Sequence, residues 1–195
     1  MSAQAKIDLL SGVNDINYAQ NTPLCETLYE AYRYFGGQSQ YFGDDDSDYH
    51  YYDRWGRYQG TYEAKRNPFT DPEALVVGTN NYNSPFKRCQ NEAYIIYITD
   101  GEPTLDNAAD GLVEQLTKGV GKHTSSPVSY LSALSGWMRN EDVNPNSAGK
   151  QTVRTFTIGF SEGAASAEHL LKQTAENGGG KYFDATDASK LRSSL

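Results

Sequence analysis

The sequence predicts an α/β fold in which helices flank a parallel sheet. Ala93-Tyr94-Ile95-Ile96-Tyr97-Ile98-Thr99 is a continuous apolar run rich in β-branched and aromatic residues, and turn residues bound it. Such a run reads as a strand buried on both faces of a parallel sheet. Val153-Arg154-Thr155-Phe156-Thr157-Ile158-Gly159-Phe160 reads as a second strand. Helical patterns separate these strands and follow the second, which is the succession that right-handed crossovers require.

Each element has its own warrant. Residues 1–20 are polar, apart from an apolar cluster at Ile7, Leu9 and Leu10. A helix is expected to begin after Asn21, with Thr22 as N-cap, Pro23 in the first helical position and Glu26 in the first turn. Leu24, Leu28, Ala31, Tyr32 and Phe35 recur at helical spacing, and Gly36-Gly37 stops the run. Residues 38–90 then lose any period. They are rich in Tyr, Asp, Asn and Gly, and read as an insertion with short strands or turns at most. After the apolar strand come helices around Asn107–Leu116 and Val128–Met138. Ala167–Asn177 is expected to be a helix closed by Gly178-Gly179-Gly180, followed by a short strand Lys181–Phe183 and a last helix over Ala188–Leu195.

Length and charge bound the function. The 195 residues suit one domain with its own core. A net charge of −8 argues against a nucleic-acid partner, which needs clustered Lys and Arg. No stretch approaches the roughly 20 apolar residues of a membrane span. Met1–Ile7 has no apolar core of a secretion signal, so the chain is either cytosolic or a fragment whose signal lies upstream. Cys25 and Cys89 are too few for a disulfide framework, fit no zinc spacing, and read most simply as buried thiols.

In open α/β sheets, ligands sit beyond the carboxyl ends of the strands. Asp100 stands there, and Gly101 permits a tight turn. A carboxylate in that place suits a hard, oxygen-seeking cation, and the Thr22 hydroxyl is a second oxygen for the same rim. The plainer reading is that Thr22 caps its helix and Asp100 shapes a turn. Asp44, Asp46 and Asp48 alternate like the opening of an EF-hand. Tyr49 replaces the required Gly, however, and Trp55 the bidentate Glu, so a looser Ca²⁺ site or a solvated acidic loop fits better. Gly178-Gly179-Gly180-Lys181 is no phosphate loop, because Tyr182 follows and the glycines end a helix. His50, His123 and His169 share no ligand spacing and read as ordinary surface or helix residues. No catalytic motif appears, so an enzyme is not expected.

Tyr94–Thr104, YIIYITDGEPT, resembles the strand of von Willebrand factor A (VWA) domains that ends in Thr-Asp-Gly. NTPLCETLYEA resembles that family's Thr-Pro-Leu loop. TVRTFTIGF with LLKQTAENGGGKYFDATDASKL is similar to its closing strand, helix, Gly-rich turn, strand and helix. The Tyr-rich insertion and the Cys before the strand are similar to the PilC/PilY family of type IV pilus-associated proteins.

The resemblance implies the C-terminal portion of a Rossmann-like VWA domain spanning residues 1–195, with residues 38–90 as an insertion. It implies an extracellular module at a pilus tip or outer cell surface, with a signal peptide upstream. Its partners would be minor pilins and host or abiotic surface ligands. Thr22 and Asp100 would hold Mg²⁺, or Ca²⁺ or Mn²⁺, whose open position takes a partner's carboxylate. The alternative is a structural assembly or capping piece with a vestigial metal site. The family's Asp-x-Ser-x-Ser loop has no counterpart: Asp45-Asp46-Ser47 starts the pattern, but Tyr49 breaks it. Metal binding is therefore expected to be weak. That loop, the first strand and helix and the second and third strands are expected upstream of Met1, leaving a three-stranded parallel core with Tyr94–Thr99 at its edge. An oxidising compartment would allow a Cys25–Cys89 disulfide at the base of the insertion.

Overall fold

The computed structural model of the chain describes residues 4, 21–42, 49–52, 55, 57–62, 74–86, 91–160 and 162–185. In chain order the elements are α1 (Leu24–Gly36), β1 (Tyr49–Tyr52), β2 (Tyr58–Tyr62), β3 (Glu92–Thr99), α2 (Asp110–Thr117), α3 (Leu131–Asn140), β4 (Thr152–Phe160), a 3₁₀ turn (Glu162–Ala167), α4 (Glu168–Asn177) and β5 (Gly179–Ala185). The chain is an α/β protein with a three-stranded parallel sheet in the order β3-β4-β5, flanked by helices. β3 and β4 align from Glu92 opposite Thr152 to Thr99 opposite Gly159, and β4 lies parallel to β5 from Thr155 opposite Gly179 onward. Parallel neighbours need crossovers. α2 and α3 make the first crossover, and the 3₁₀ turn with α4 makes the second.

One face of the sheet carries the core. Ala93, Ile95 and Tyr97 of β3 and Val153 of β4 pack with Leu24, Leu28, Val113, Leu131, Leu134, Met138 and Leu170 from the helices. Period-2 alternation puts Tyr94, Ile96 and Ile98 on the other face. There they are 60%, 65% and 59% exposed. The expectation of a strand buried on both faces therefore fails for the second face, because β4 is the only described strand that pairs with β3 and the helical core covers one side.

α4 is docked by side-chain hydroxyls. Thr157 Oγ1 donates to the Leu171 carbonyl at 2.8 Å, and Ser135 Oγ donates to that of Thr174 at 2.8 Å. The triple glycine does more than end this helix. Gly178 is the cap residue, while Gly179 and Gly180 already belong to β5. A Cβ on Gly180 would collide with the Thr155 carbonyl, so the close approach of β5 to β4 requires glycine there.

Thr22 does not cap α1. The cap position falls on Pro23, which offers no side-chain bond. At the other end Gly37, at φ 61°, lets its own N–H and that of Gln38 close on the carbonyls of Tyr34 and Arg33. The insertion leaves from this point. Glu30 of α1 accepts from the Phe42 N–H at 2.8 Å and the Tyr82 hydroxyl at 2.6 Å, and Arg33 donates to Ser39. Two residues of α1 thus fasten both described flanks of the insertion, which also holds the antiparallel β1–β2 hairpin. Cys89, Asp44 to Asp48, the apolar cluster of residues 7–10 and the last expected helix lie outside the described residues.

At the edge of the described sheet the Tyr94–Thr99 stretch of β3 carries no charge and no bulge, and such an edge invites pairing with another chain. Ile96→Lys is expected to suppress concentration-dependent association in sedimentation while changing stability by under about 0.5 kcal/mol. Leu134→Ala, in the core, should cost about 2–5 kcal/mol in denaturant unfolding. Unchanged association of the Ile96 variant would show that β3 is not the contact.

Candidate functional site at the carboxyl rim of the sheet

β3 delivers Thr99, Asp100 and Gly101 to the carboxyl rim, and the residues that follow turn back across the start of α1. The Thr22 N–H donates to Thr104 Oγ1 at 2.8 Å, and the Thr104 N–H returns to the Thr22 carbonyl at 3.1 Å. This two-way stitch holds Thr22 against the loop that carries Asp100. Thr22 Oγ1 lies 3.8 Å from where a Cβ on Gly101 would stand. Thr22 and Asp100 line one open depression of about 460 Å³, together with Thr27, Tyr97, Ile98 and Phe160.

The walls of this depression are fixed internally. The Tyr97 hydroxyl donates to the Leu24 carbonyl at 2.8 Å, and burial pushes its ionisation well above the ordinary phenol range. Thr27 Oγ1 donates to the Pro23 carbonyl at 2.7 Å, and Thr99 Oγ1 to that of Gly101 at 3.2 Å. Asn21 also lines the depression, where Thr22 and Asp100 supply one hydroxyl and one exposed carboxylate. Two oxygens fit a hard cation that keeps most of its water, and not a dehydrated chelate. Among the described residues no three His, Cys, Asp or Glu side chains converge on a metal-sized point.

Behind the rim lies an acidic junction that the sequence does not announce. Glu26, read only as a first-turn acid, is 6% exposed. Its Oε1 accepts the N–H groups of Ala108 and Ala109 at 2.6 and 3.2 Å, at the start of α2. Asp106 answers from the loop before α2, accepting the Cys25 N–H in the first turn of α1 and the Ser129 hydroxyl at 3.2 Å. Each helix start is therefore capped by a carboxylate from the other's segment. Burial and the neighbouring Glu26 push Asp106 up to about 8, and burial raises Asp110 as well. In its reduced form the Cys25 thiol is also pushed far up, by burial first and Asp106 second.

The remaining candidates do not join the site. His123, on the segment between α2 and α3, is buried rather than superficial, with Nδ1 bonded to Gln173 Oε1 of α4. His50 lies on β1 and His169 on α4. No helix among the described residues is long and apolar enough to cross a membrane.

The chain was compared with protein-family models, curated proteins and solved structures. None matches.

Thr104→Val removes the acceptor for the Thr22 N–H while keeping side-chain volume. It should lower unfolding free energy by about 1 kcal/mol in urea titration. No loss would mean that the stitch does not hold the rim.

Proposed function

We propose that the rim between Thr22 and Asp100 binds a hydrated divalent cation, Mg²⁺ or alternatively Ca²⁺ or Mn²⁺, and that the chain acts through it as a non-enzymatic adhesion or interaction module. The observation that supports this reading is the placement of the Thr22 hydroxyl beside Gly101, in the same depression as Asp100. A cation held by these two oxygens would present water-filled positions that a partner's carboxylate can enter. The resemblance of NTPLCETLYEA and YIIYITDGEPT to VWA segments of PilC/PilY proteins suggests the setting: an extracellular, pilus-associated protein that meets minor pilins and host or abiotic surfaces. Calorimetry should give affinity on the order of millimolar for Mg²⁺, weakened several-fold by Thr22→Ala and abolished by Asp100→Ala. Micromolar binding that survives Asp100→Ala would overturn the assignment.

A second reading is a structural assembly or capping piece whose rim site is vestigial. The exposed Tyr94, Ile96 and Ile98 on β3, which pairs only with β4 among the described strands, favour it. Retention on immobilised minor pilins that ignores EDTA would support this reading, whereas EDTA-sensitive retention supports the first.

The extracellular setting carries a proposed Cys25–Cys89 disulfide. In the structure Cys25 is a free thiol, fully buried in the first turn of α1, and Cys89 precedes β3 by three positions in the sequence. Closing the long intervening loop would stabilise the chain by about 4 kcal/mol in the chain-entropy model. Intact mass of oxidised, secreted protein should be two hydrogens short of the reduced form. Two alkylatable thiols would rule the bond out.

A further inference from the structure

Glu26 and Asp106 meet at the junction of α1 and α2: Asp106 takes the N–H of Cys25, the residue before Glu26, and Glu26 takes that of Ala108, two residues after Asp106. Both face backbone donors: Glu26 Oε1 holds the Ala108 and Ala109 N–H groups, and Asp106 Oδ1 holds that of Cys25. Glu26 is 94% removed from solvent, and its Oε2 is buried with no hydrogen-bond partner. Two ionised carboxylates cannot face each other in such a place without a counter-charge, because burial and like charge both penalise the second negative charge. One proton between them supplies the missing donor.

We propose that a proton kept on Asp106 and offered to the unpartnered Glu26 Oε2 is a pH-sensitive latch holding the first turns of α1 and α2 together. The inference stands apart from the cation reading of the rim, since neither carboxylate belongs to that donor set. Each described element packed there contributes to the surroundings. α1 contributes the Cys25 thiol, β3 the Tyr97 phenol, α2 Asp110 with Glu114 beyond it, and the segment before α3 contributes Ser129 and Lys122. Lys122 rests its ammonium 4.0 Å from the Tyr130 ring centre and acts on Asp110. The neighbours of the pair are thus mainly neutral or acidic, which favours retention of the proton.

Asp106 holds its proton to about 8 when folded, against an ordinary value of 3.8. The stabilisation is fully present below the ordinary value, declines as pH rises above it, and is gone once pH passes the folded value. Beyond that point two negative charges face each other across the junction. α1 starts two residues after Thr22, so a loosened latch is felt at the rim.

The full chain, Asp106→Asn and Glu26→Gln are to be unfolded in denaturant at a series of pH values between the two limits. Either amide keeps acceptor and donor at the junction without titrating. The unfolding constant of the native sequence should climb relative to both variants, by up to about tenfold per pH unit. Infrared spectra of the unaltered chain at neutral pH should show a protonated-carboxyl stretch that Asp106→Asn removes. Equal pH slopes in the native sequence and the folded variants would overturn the retained proton. So would the absence of that infrared band, which decides the matter even if a variant does not fold. Stabilisation by added Ca²⁺ that Asp106→Asn abolishes would also overturn it, by putting a cation where the proton is placed.

Discussion

The mutual capping of α1 and α2 is the constraint on which the rim depends. A helix start leaves N–H groups without partners, and burying them unpaired costs free energy comparable to lost hydrogen bonds. Here Pro23 supplies no side-chain cap, so the Cys25 amide is satisfied by Asp106 from 81 positions along the chain. Glu26 serves the start of α2 in return. These contacts fix where α1 begins, and the Thr22–Thr104 stitch just outside them fixes where the Asp100 loop runs. A buried polar junction, and not apolar packing alone, places a hydroxyl and a carboxylate at one end of the sheet.

Much of the sheet was legible because its strands are written in strong local terms. β3 and β4 are long runs of β-branched and aromatic residues, and their observed limits fall within a residue of those runs. The start of β5 was not legible. Gly179 and Gly180 carry the usual mark of a helix stop, and only the Thr155 carbonyl next to Gly180 reveals that close strand approach is also at work. The 3₁₀ turn over Glu162–Ala167 was missed as well, since its small residues carry no apolar period.

The candidate site was legible only at its outer edge. Thr22 and Asp100 stand out because strand ends and helix starts are where α/β sheets place ligands. Asp106 and Glu26 do not stand out, because the contacts that bury Glu26 and half-bury Asp106 span a long sequence separation and leave no spacing signature. Thr104 is invisible for the same reason: it looks like a loop residue until its hydroxyl is found on the Thr22 amide. His123 was misjudged because nothing near it in sequence signals Gln173 of α4 as its partner.

We propose the carboxyl rim of this small parallel sheet as a cation-dependent contact point. The most direct measurement is site-resolved paramagnetic broadening by Mn²⁺, which needs no knowledge of the partner. Amide resonances of Thr22, Asp100, Gly101 and Thr104 should broaden first, and those of α4 and the far end of β4 should stay sharp. Broadening that begins elsewhere, or that persists at the rim in Asp100→Ala, would contradict the account.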